Sequence, residues 1–235
     1  MIKIGGIQNT TLLDYPEKVA ATVFLGGCNF RCPFCHNADI VLNPTDNYEM
    51  SELMTLLKKR KNVLDGVCVT GGEPTLNDDL PELLYRIKEM GYSVKLDTNG
   101  TSPAMIERLY DGNLIDYVAM DIKSSAKGYA KAVGIAGYDI TPIISSISMI
   151  MESTKKYEFR TTLVKGIHTL EDMLGIGELI RGAKAYYLQN YKDSDMTICK
   201  CKGADTYYES FSKEEMNKFL ETAAGFSNAY IRGVD

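Results

Sequence analysis

The sequence predicts an α/β fold, a partial (β/α)6 barrel of the TIM type. Short apolar runs rich in β-branched residues alternate with longer amphipathic stretches, which is the pattern of repeated βα units around a parallel sheet. Six such units fall short of the eight in a closed barrel. Polar motifs follow several of the predicted strands, at the end of the barrel where functional residues usually lie.

The elements follow one another regularly. The predicted strands are 19–25, 66–70, 92–97, 115–122, 158–164 and 185–188, with a short final strand at 229–231. The predicted helices are 51–61, 79–90, 103–110, 143–153, 170–181 and 212–223. We expect Ser51 and Ser212 to be N-caps, Pro103 to open a helix, and Gly91 to follow a helix end.

The chain shows no sign of a domain boundary. It contains no linker rich in Pro, Gly or Ser, no repeat and no low-complexity run. We therefore expect residues 1–235 to form a single domain, with a cysteine loop at 26–38 and a barrel over about 19–225. The open side of a partial barrel would admit a large substrate, including a segment of another protein.

Composition and charge exclude several classes of function. Hydrophobic residues make up 45% and charged residues 24% of the chain, as in soluble globular proteins. A net charge of −5 offers no basic surface for a phosphate backbone, so we expect no nucleic-acid partner. No apolar stretch reaches the roughly 20 residues of a transmembrane helix, and the N-terminus does not resemble a secretory signal. These features predict a cytoplasmic protein without a membrane partner.

Three of the six cysteines lie in one loop directly after the first predicted strand, namely Cys28, Cys32 and Cys35. Disulfides belong mainly to secreted domains, whereas thiolates are good ligands for Fe–S clusters and zinc. Three thiols leave one iron of a cubane cluster open to a small molecule that carries amine and carboxylate groups. The alternative is a structural zinc site completed by His36, Cys68 or a late cysteine.

The other cysteines and the second histidine receive simpler interpretations. Cys68 is flanked by valines, which predicts a buried core thiol. Cys199 and Cys201 form a CxC pair in a predicted polar loop, and we expect a surface pair rather than a metal site. His168 follows the fifth predicted strand. A position facing the site is one alternative there, but we expect a capping or surface histidine.

Three further polar motifs end predicted strands. They contain, in chain order, Gly71, Gly72 and Glu73, then Asp97 and Asn99, then Asp121 and Lys123. Glycines let a backbone approach a ligand closely, although a glycine pair is also common in an ordinary turn. Taken alone, the second motif would be better explained by an ordinary turn, and the third by a solvated ion pair.

The CxxxCxxC spacing after a first strand, with Phe34 before the third cysteine, resembles the radical S-adenosylmethionine (SAM) superfamily over nearly the whole chain. The resemblance implies one [4Fe-4S] cluster on Cys28, Cys32 and Cys35, and SAM as the second cofactor. In that family the reduced cluster cleaves SAM to give a 5′-deoxyadenosyl radical.

The GGE, DTNG and DxK segments resemble those of the glycyl-radical enzyme activating enzymes. There the first motif binds the amino group of SAM, and the other two bind its ribose and carboxylate. Residues beside the cluster lie along the adenine, and a residue after the sixth strand contacts adenine or ribose. The resemblance thus implies a SAM-binding set of Phe34, His36, Gly71, Gly72, Glu73, Asp97, Asn99, Asp121, Lys123 and Gln189.

The Asp14-Tyr15-Pro16 segment, the short chain and the Cys-His-Asn tripeptide resemble activators of the anaerobic ribonucleoside-triphosphate reductase. This implies abstraction of a glycine Cα hydrogen from a partner enzyme, with a flavodoxin or ferredoxin-type electron donor. Two alternatives stay open. One is a radical SAM enzyme that acts on a small molecule or peptide in biosynthesis, and the other is a non-enzymatic metal-binding module.

Overall fold

The computed structural model describes residues 2–44, 47–203 and 208–233. The strands are β1 (Ile4–Thr11), β2 (Ala20–Leu25), β3 (Gly66–Gly71), β4 (Ser93–Thr98), β5 (Tyr117–Asp121), β6 (Lys156–Leu163), β7 (Tyr186–Asn190) and β8 (Ala229–Arg232). The helices are α1 (Ala38–Leu42), α2 (Met50–Lys59), α3 (Leu80–Glu89), α4 (Pro103–Asp111), α5 (Tyr129–Val133), α6 (Thr141–Glu152), α7 (Leu170–Leu179), α8 (Ile198–Cys201) and α9 (Lys213–Ala224). A short 3-10 turn covers Pro74–Leu76.

The strands are hydrogen-bonded in chain order in one eight-stranded sheet. β1 is antiparallel to β2, whereas β2, β3 and β4 pair in parallel, as do β6, β7 and β8. Almost every residue of β2 and β3 is buried, as expected for parallel strands that are covered on both faces. The predicted α/β class is confirmed. Within the described ranges, no helix has the length and apolar composition needed to cross a membrane.

All seven predicted strands are present, with small shifts at their ends. β1 was not predicted because its sequence, IGGIQNTT, contains two glycines and no clear alternation of apolar and polar residues. The short helices α1, α5 and α8 were also missed, since four or five residues are too few to show a helical period. β7 extends further than expected and includes Gln189, which pairs with Thr162 of β6 and Arg232 of β8. The prediction that Gln189 follows the strand is therefore wrong.

The predicted helix caps agree with the structure except at α2. The Ser212 hydroxyl accepts a hydrogen bond from the backbone of Glu215 at 3.2 Å, which confirms Ser212 as the cap of α9. Gly91 follows α3 with φ +80°. α2 begins one residue before Ser51, and its N-cap is Glu49, whose side chain takes part in a capping box. Ser51 was the wrong choice because an acidic residue two positions earlier occupies the cap.

The described residues fall into two compact units. The first contains the chain up to Asn29, Asp39–Ala119 and Thr154–Lys156, and its strands β2, β3 and β4 carry its buried apolar core. The second contains Phe30–Ala38, Met120–Ser153 and the chain from Tyr157 onward, including β6, β7 and β8. That residues 1–235 behave as a single domain stays a prediction.

Candidate cofactor site

The two glycines after β3 lie against the backbone that precedes the first cysteine. A Cβ atom on Gly72 would lie 1.8 Å from the carbonyl oxygen of Gly27. Gly71 has φ +117°, a conformation that other residues rarely adopt. The next N–H, that of Glu73, donates to the Gly27 carbonyl at 2.8 Å. Close approach of two backbone segments therefore explains both glycines without any need for a ligand.

Glu73 is almost completely buried, with 1% of its surface exposed. Its Oε1 accepts from the hydroxyls of Thr75 and Thr98, and its Oε2 accepts from the backbone N–H of Asn99 at 2.6 Å. Burial raises the pKa of the Glu73 carboxyl, and the hydrogen bonds act in the opposite direction. The carboxylate therefore ties the end of β3 to the end of β4.

Asn99 connects this network to the cysteine loop. Its side-chain amide donates to Asn29 Oδ1 at 3.0 Å and lies 3.9 Å from the sulfur of Cys28. The side-chain oxygen of Asn99, Oδ1, accepts from the backbone N–H and the hydroxyl of Thr101. The structure thus brings the GGE motif, the DTNG motif and Cys28 together in the first unit.

Asp97 is bound by residues that the sequence did not link to the site. Its Oδ1 accepts from the ammonium of Lys95, which is 1% exposed. The thiol of Cys68 lies 3.6 Å from the same oxygen. Cys68 is buried, as predicted. Lys95 was missed because a lysine in a strand is normally assigned to the solvent-facing side.

In the second unit, Asp121 is held between two cations. Arg160 Nε donates to its Oδ1 at 2.9 Å, and Lys123 Nζ donates to its Oδ2 at 3.0 Å. Burial alone would raise the pKa of Asp121, but the two cations outweigh burial and lower it to about 2. The DxK segment is therefore a part-buried ion cluster with Arg160 as a third member, rather than an isolated solvated pair.

Lys123 also interacts with two of the cysteines. Burial alone lowers the pKa of Lys123, but the charges of Asp121, Cys32 and Cys35 raise it well above its usual value. Cys35 is part-buried, and burial raises the pKa of its thiol. The backbone N–H of Cys35 donates to the carbonyl of Cys32 at 3.0 Å, which closes the turn between them. Lys123 is therefore coupled electrostatically to both of these cysteines.

The aromatic residues of the loop contact different parts of this unit. Phe34 packs edge-on against the His168 ring, with 6.2 Å between centroids. The His36 ring stacks on Tyr191 at 5.5 Å, and its Nε2 donates to the carbonyl of Lys192 at 2.7 Å. The sequence placed both residues beside the thiols but could not identify their contacts.

Two predictions about residues outside the motifs are wrong in part, namely a surface position for His168 and for both cysteines of the CxC pair. His168 is buried rather than on the surface: its Nδ1 accepts from the N–H of Val164, and its Nε2 donates to the carbonyl of Lys123. Cys199 and Cys201 lie on α8, and only Cys201 is exposed. Burial lowers the pKa of His168. Its Nδ1 accepts from Val164, so the proton on Nε2 is the one that holds the backbone of the DxK segment.

No group of three or more His, Cys, Asp or Glu side chains is arranged to hold a metal ion within residues 2–44, 47–203 and 208–233. The donor set nevertheless suits an iron–sulfur cluster, because one short loop carries three thiols. The residues considered as a fourth zinc ligand have other partners. His36 binds the Lys192 carbonyl, Cys68 lies against Asp97, and the Cys199 sulfur lies 3.3 Å from a threonine hydroxyl.

Comparison with known proteins identifies the family. The family model of the radical SAM superfamily matches residues 22–180. A protein of Methanocaldococcus jannaschii named as a glycyl-radical enzyme activating enzyme is 33% identical over 92% of this chain and 86% of its own. The pyruvate formate-lyase-activating enzyme of Streptococcus mutans is 28% identical over 77% of this chain and 74% of its own. The chain belongs to the radical SAM superfamily.

Solved structures agree on the fold. SuiB of Streptococcus suis bound to SAM superposes with a TM-score of 0.65, at 17% identity over 88% of this chain and 48% of its own. Coproporphyrinogen III oxidase of Escherichia coli gives a TM-score of 0.57, at 15% identity over 91% of this chain and 53% of its own. The chain thus spans about half the length of these two proteins. The predicted fold class is confirmed, and the protein is an enzyme whose family uses a [4Fe-4S] cluster and SAM.

Proposed function

We propose that this enzyme activates a glycyl-radical enzyme by reductive cleavage of SAM and abstraction of a hydrogen from a glycine Cα of the partner. The observation that carries the proposal is the 33% identity, over 92% of the chain, to a relative named as such an activating enzyme. The match to a pyruvate formate-lyase-activating enzyme supports the same class of activity.

Cys28, Cys32 and Cys35 would hold the cluster in this proposal. When bound, the cluster supplies an electron and an open iron for SAM, whose cleavage yields the 5′-deoxyadenosyl radical. The protein's own contribution includes the charge of Lys123, which offsets negative charge on Cys32 and Cys35. It also includes the amide of Asn99, which is directed at the sulfur of Cys28.

The proposed SAM-binding set consists of Phe34, His36, Gly71, Gly72, Glu73, Asp97, Asn99, Asp121, Lys123 and Gln189. Asp121 is kept ionised and in position by its two cations. Like the carboxylate of Glu73, it already accepts hydrogen bonds from its own chain. Gln189 has the weakest support, since it lies within β7 rather than beyond its end.

We further propose the anaerobic ribonucleoside-triphosphate reductase as the partner, a flavodoxin or ferredoxin-type protein as the electron donor, and the cytoplasm as the location. The Asp-Tyr-Pro segment is a poor guide to the partner. Tyr15 is buried and packs edge-on against Tyr117 at 6.0 Å, and Asp14 accepts from the Thr22 hydroxyl. This segment therefore has a structural role in the first unit.

The first experiment is anaerobic reconstitution with iron and sulfide, followed by reduction in the presence of SAM. The wild-type chain should bind about four irons and form 5′-deoxyadenosine. The Cys32→Ala variant should form no 5′-deoxyadenosine. The Cys201→Ala variant, which changes an exposed thiol, should still form it. Stoichiometric zinc without a cluster would contradict the assignment.

The second experiment tests the partner. The reconstituted enzyme, SAM and the reductase are mixed, and a glycyl doublet in the electron paramagnetic resonance spectrum is expected. A chemically matched control is the reductase with its radical glycine replaced by alanine.

One observation favours a different substrate class: a 7-carboxy-7-deazaguanine synthase of Aquifex aeolicus is 30% identical over 60% of this chain. SAM cleavage stimulated by a purine-like small molecule, with no doublet on any glycyl-radical enzyme, would favour that class.

A further inference from the structure

Residues 191–201, which we call the brace, contact the second half of the cysteine loop through backbone hydrogen bonds. The N–H of Ile198 donates to the carbonyl of Cys35 at 3.1 Å. The N–H of Cys199 donates to the carbonyl of Pro33 at 2.9 Å. These two donors belong to the first turn of α8, where backbone N–H groups have no partner within the helix.

A third contact lies at the start of the brace. The His36 ring stacks on the ring of Tyr191, and its Nε2 donates to the carbonyl of Lys192. Tyr191 is itself buried, and its carbonyl accepts from the Ser210 hydroxyl at 2.6 Å. Both ends of the loop segment 33–36 are therefore bound to the brace.

The brace is also fixed by contacts of its own. Lys200 pairs with Asp193 at 2.8 Å, which joins the two ends of the segment. The Thr197 hydroxyl contacts the Cys199 sulfur at 3.3 Å, and the N–H of Cys201 donates to the carbonyl of Thr197. Since these contacts do not involve the cysteine loop, the brace can present its N–H groups in a fixed position.

We infer that the brace positions Pro33–His36, and with them the Cys35 thiol, for cluster binding. This inference rests on the proposed role of the cysteine loop. Ile198 is the main positioning residue, and it acts through its backbone N–H. The CxC pair on α8 contributes to this contact through the backbone N–H of Cys199.

One substitution removes the key donor with little change to the backbone. Ile198 is the first residue of α8, and Thr197 before it is extended, with φ −77° and ψ 149°. Proline is tolerated at a first helical position and favours an extended residue before it. Ile198→Pro therefore deletes the hydrogen bond to Cys35. Ile198→Ala is the matched control, because it loses the side-chain packing but keeps the N–H.

The test compares these two variants with and without the cluster. In the reconstituted proteins, Ile198→Pro should lose iron to a chelator about tenfold faster than Ile198→Ala, as expected for one lost hydrogen bond. In the metal-free proteins, Cys35 should be alkylated faster in Ile198→Pro than in Ile198→Ala, by a similar factor. If the two variants show equal rates in both assays, the inference is overturned. If the wild type binds no cluster, the proposed function fails, while the alkylation result still decides whether the brace holds the loop.

Hydrogen exchange on the wild-type chain provides a measurement that does not depend on how the proline variant folds. The amides of Ile198 and Cys199 should exchange more slowly once the cluster is bound, because ordering of the loop fixes their acceptors. The amide of Lys213, at the start of α9, serves as a reference and should not change. Equal exchange at Ile198 and Cys199 in the two states would contradict the inference.

Discussion

Glu73 and Asn99 are joined by a hydrogen bond of 2.6 Å between the buried carboxylate and the backbone N–H. The same Asn99 directs its side-chain amide toward the sulfur of Cys28. A carboxylate after β3 therefore controls the conformation of a residue after β4, which in turn contacts the first cysteine. The stability of this arrangement depends on a carboxyl group that is almost completely buried.

Glu73→Gln should destabilise the protein by about 2 kcal/mol, because an amide can no longer accept from every donor around it and buried donors lose their partners. Urea unfolding of the metal-free protein measures this change. The control is Glu82→Gln, which removes an exposed pair with Arg86 and should cost less than about 0.5 kcal/mol. Equal effects of the two substitutions would count against a buried network.

Gly72→Ala should destabilise the protein more than Glu73→Gln does. We expect the free energy of unfolding to fall by about 3 kcal/mol or more, because the new Cβ would overlap the Gly27 carbonyl. The control is Gly6→Ala in β1, where the nearest atom to a new Cβ is 3.5 Å away on the Phe24 ring. That substitution should leave the melting temperature unchanged or raise it slightly. If Gly72→Ala melts like Gly6→Ala, the close approach of these backbones is not essential.

Asp121→Asn should lower stability at pH 7 by about 2 kcal/mol. The pKa of Asp121 is lowered to about 2 in the folded protein, so its contribution is complete above the ordinary value near 4 and is lost as the pH falls through about 2. The difference in the free energy of unfolding between the wild type and the variant should therefore decrease as the pH falls from about 4 to about 2. Calorimetry of the metal-free proteins over this range measures it, with the exposed Asp78→Asn as the control.

Asn99→Ala should make the reduction potential of the proposed cluster more negative by about 50 mV. Hydrogen bonds to ligand sulfurs favour the reduced, more negatively charged state, and the expected value corresponds to the loss of about one hydrogen bond. A redox titration followed by electron paramagnetic resonance measures the shift. Asn43→Ala, at an exposed residue directly after α1, should not change the potential.

The order of elements could be predicted from the sequence because parallel strands are short, apolar and separated by helices with clear periods. Strand β1 could not be predicted, since it pairs antiparallel and its sequence shows no alternation of apolar and polar residues. Helix α8 could not be predicted, because four residues are too few to show a helical period. The boundaries of β7 were misplaced because the polar residues Gln189 and Asn190 continue the strand.

The motifs could be located from the sequence, but the charges that support them could not. Lys95 and Arg160 each stand between buried neighbours in a strand, and neither belongs to a motif. Each becomes informative only when its carboxylate partner, Asp97 or Asp121, is seen. His168 is similar, because its role depends on a contact with the backbone of Lys123, far away in sequence.

The separation of the brace from the cysteine loop has a consequence for biosynthesis. His36 and Lys192 are 156 residues apart in the chain, so the loop leaves the ribosome long before the segment that orders it. The strands can pair one after another as they emerge, since they are hydrogen-bonded in chain order. The thiols, however, would lack the contacts of the brace until residues 191–201 have been synthesised. Cluster delivery should therefore follow synthesis of the brace.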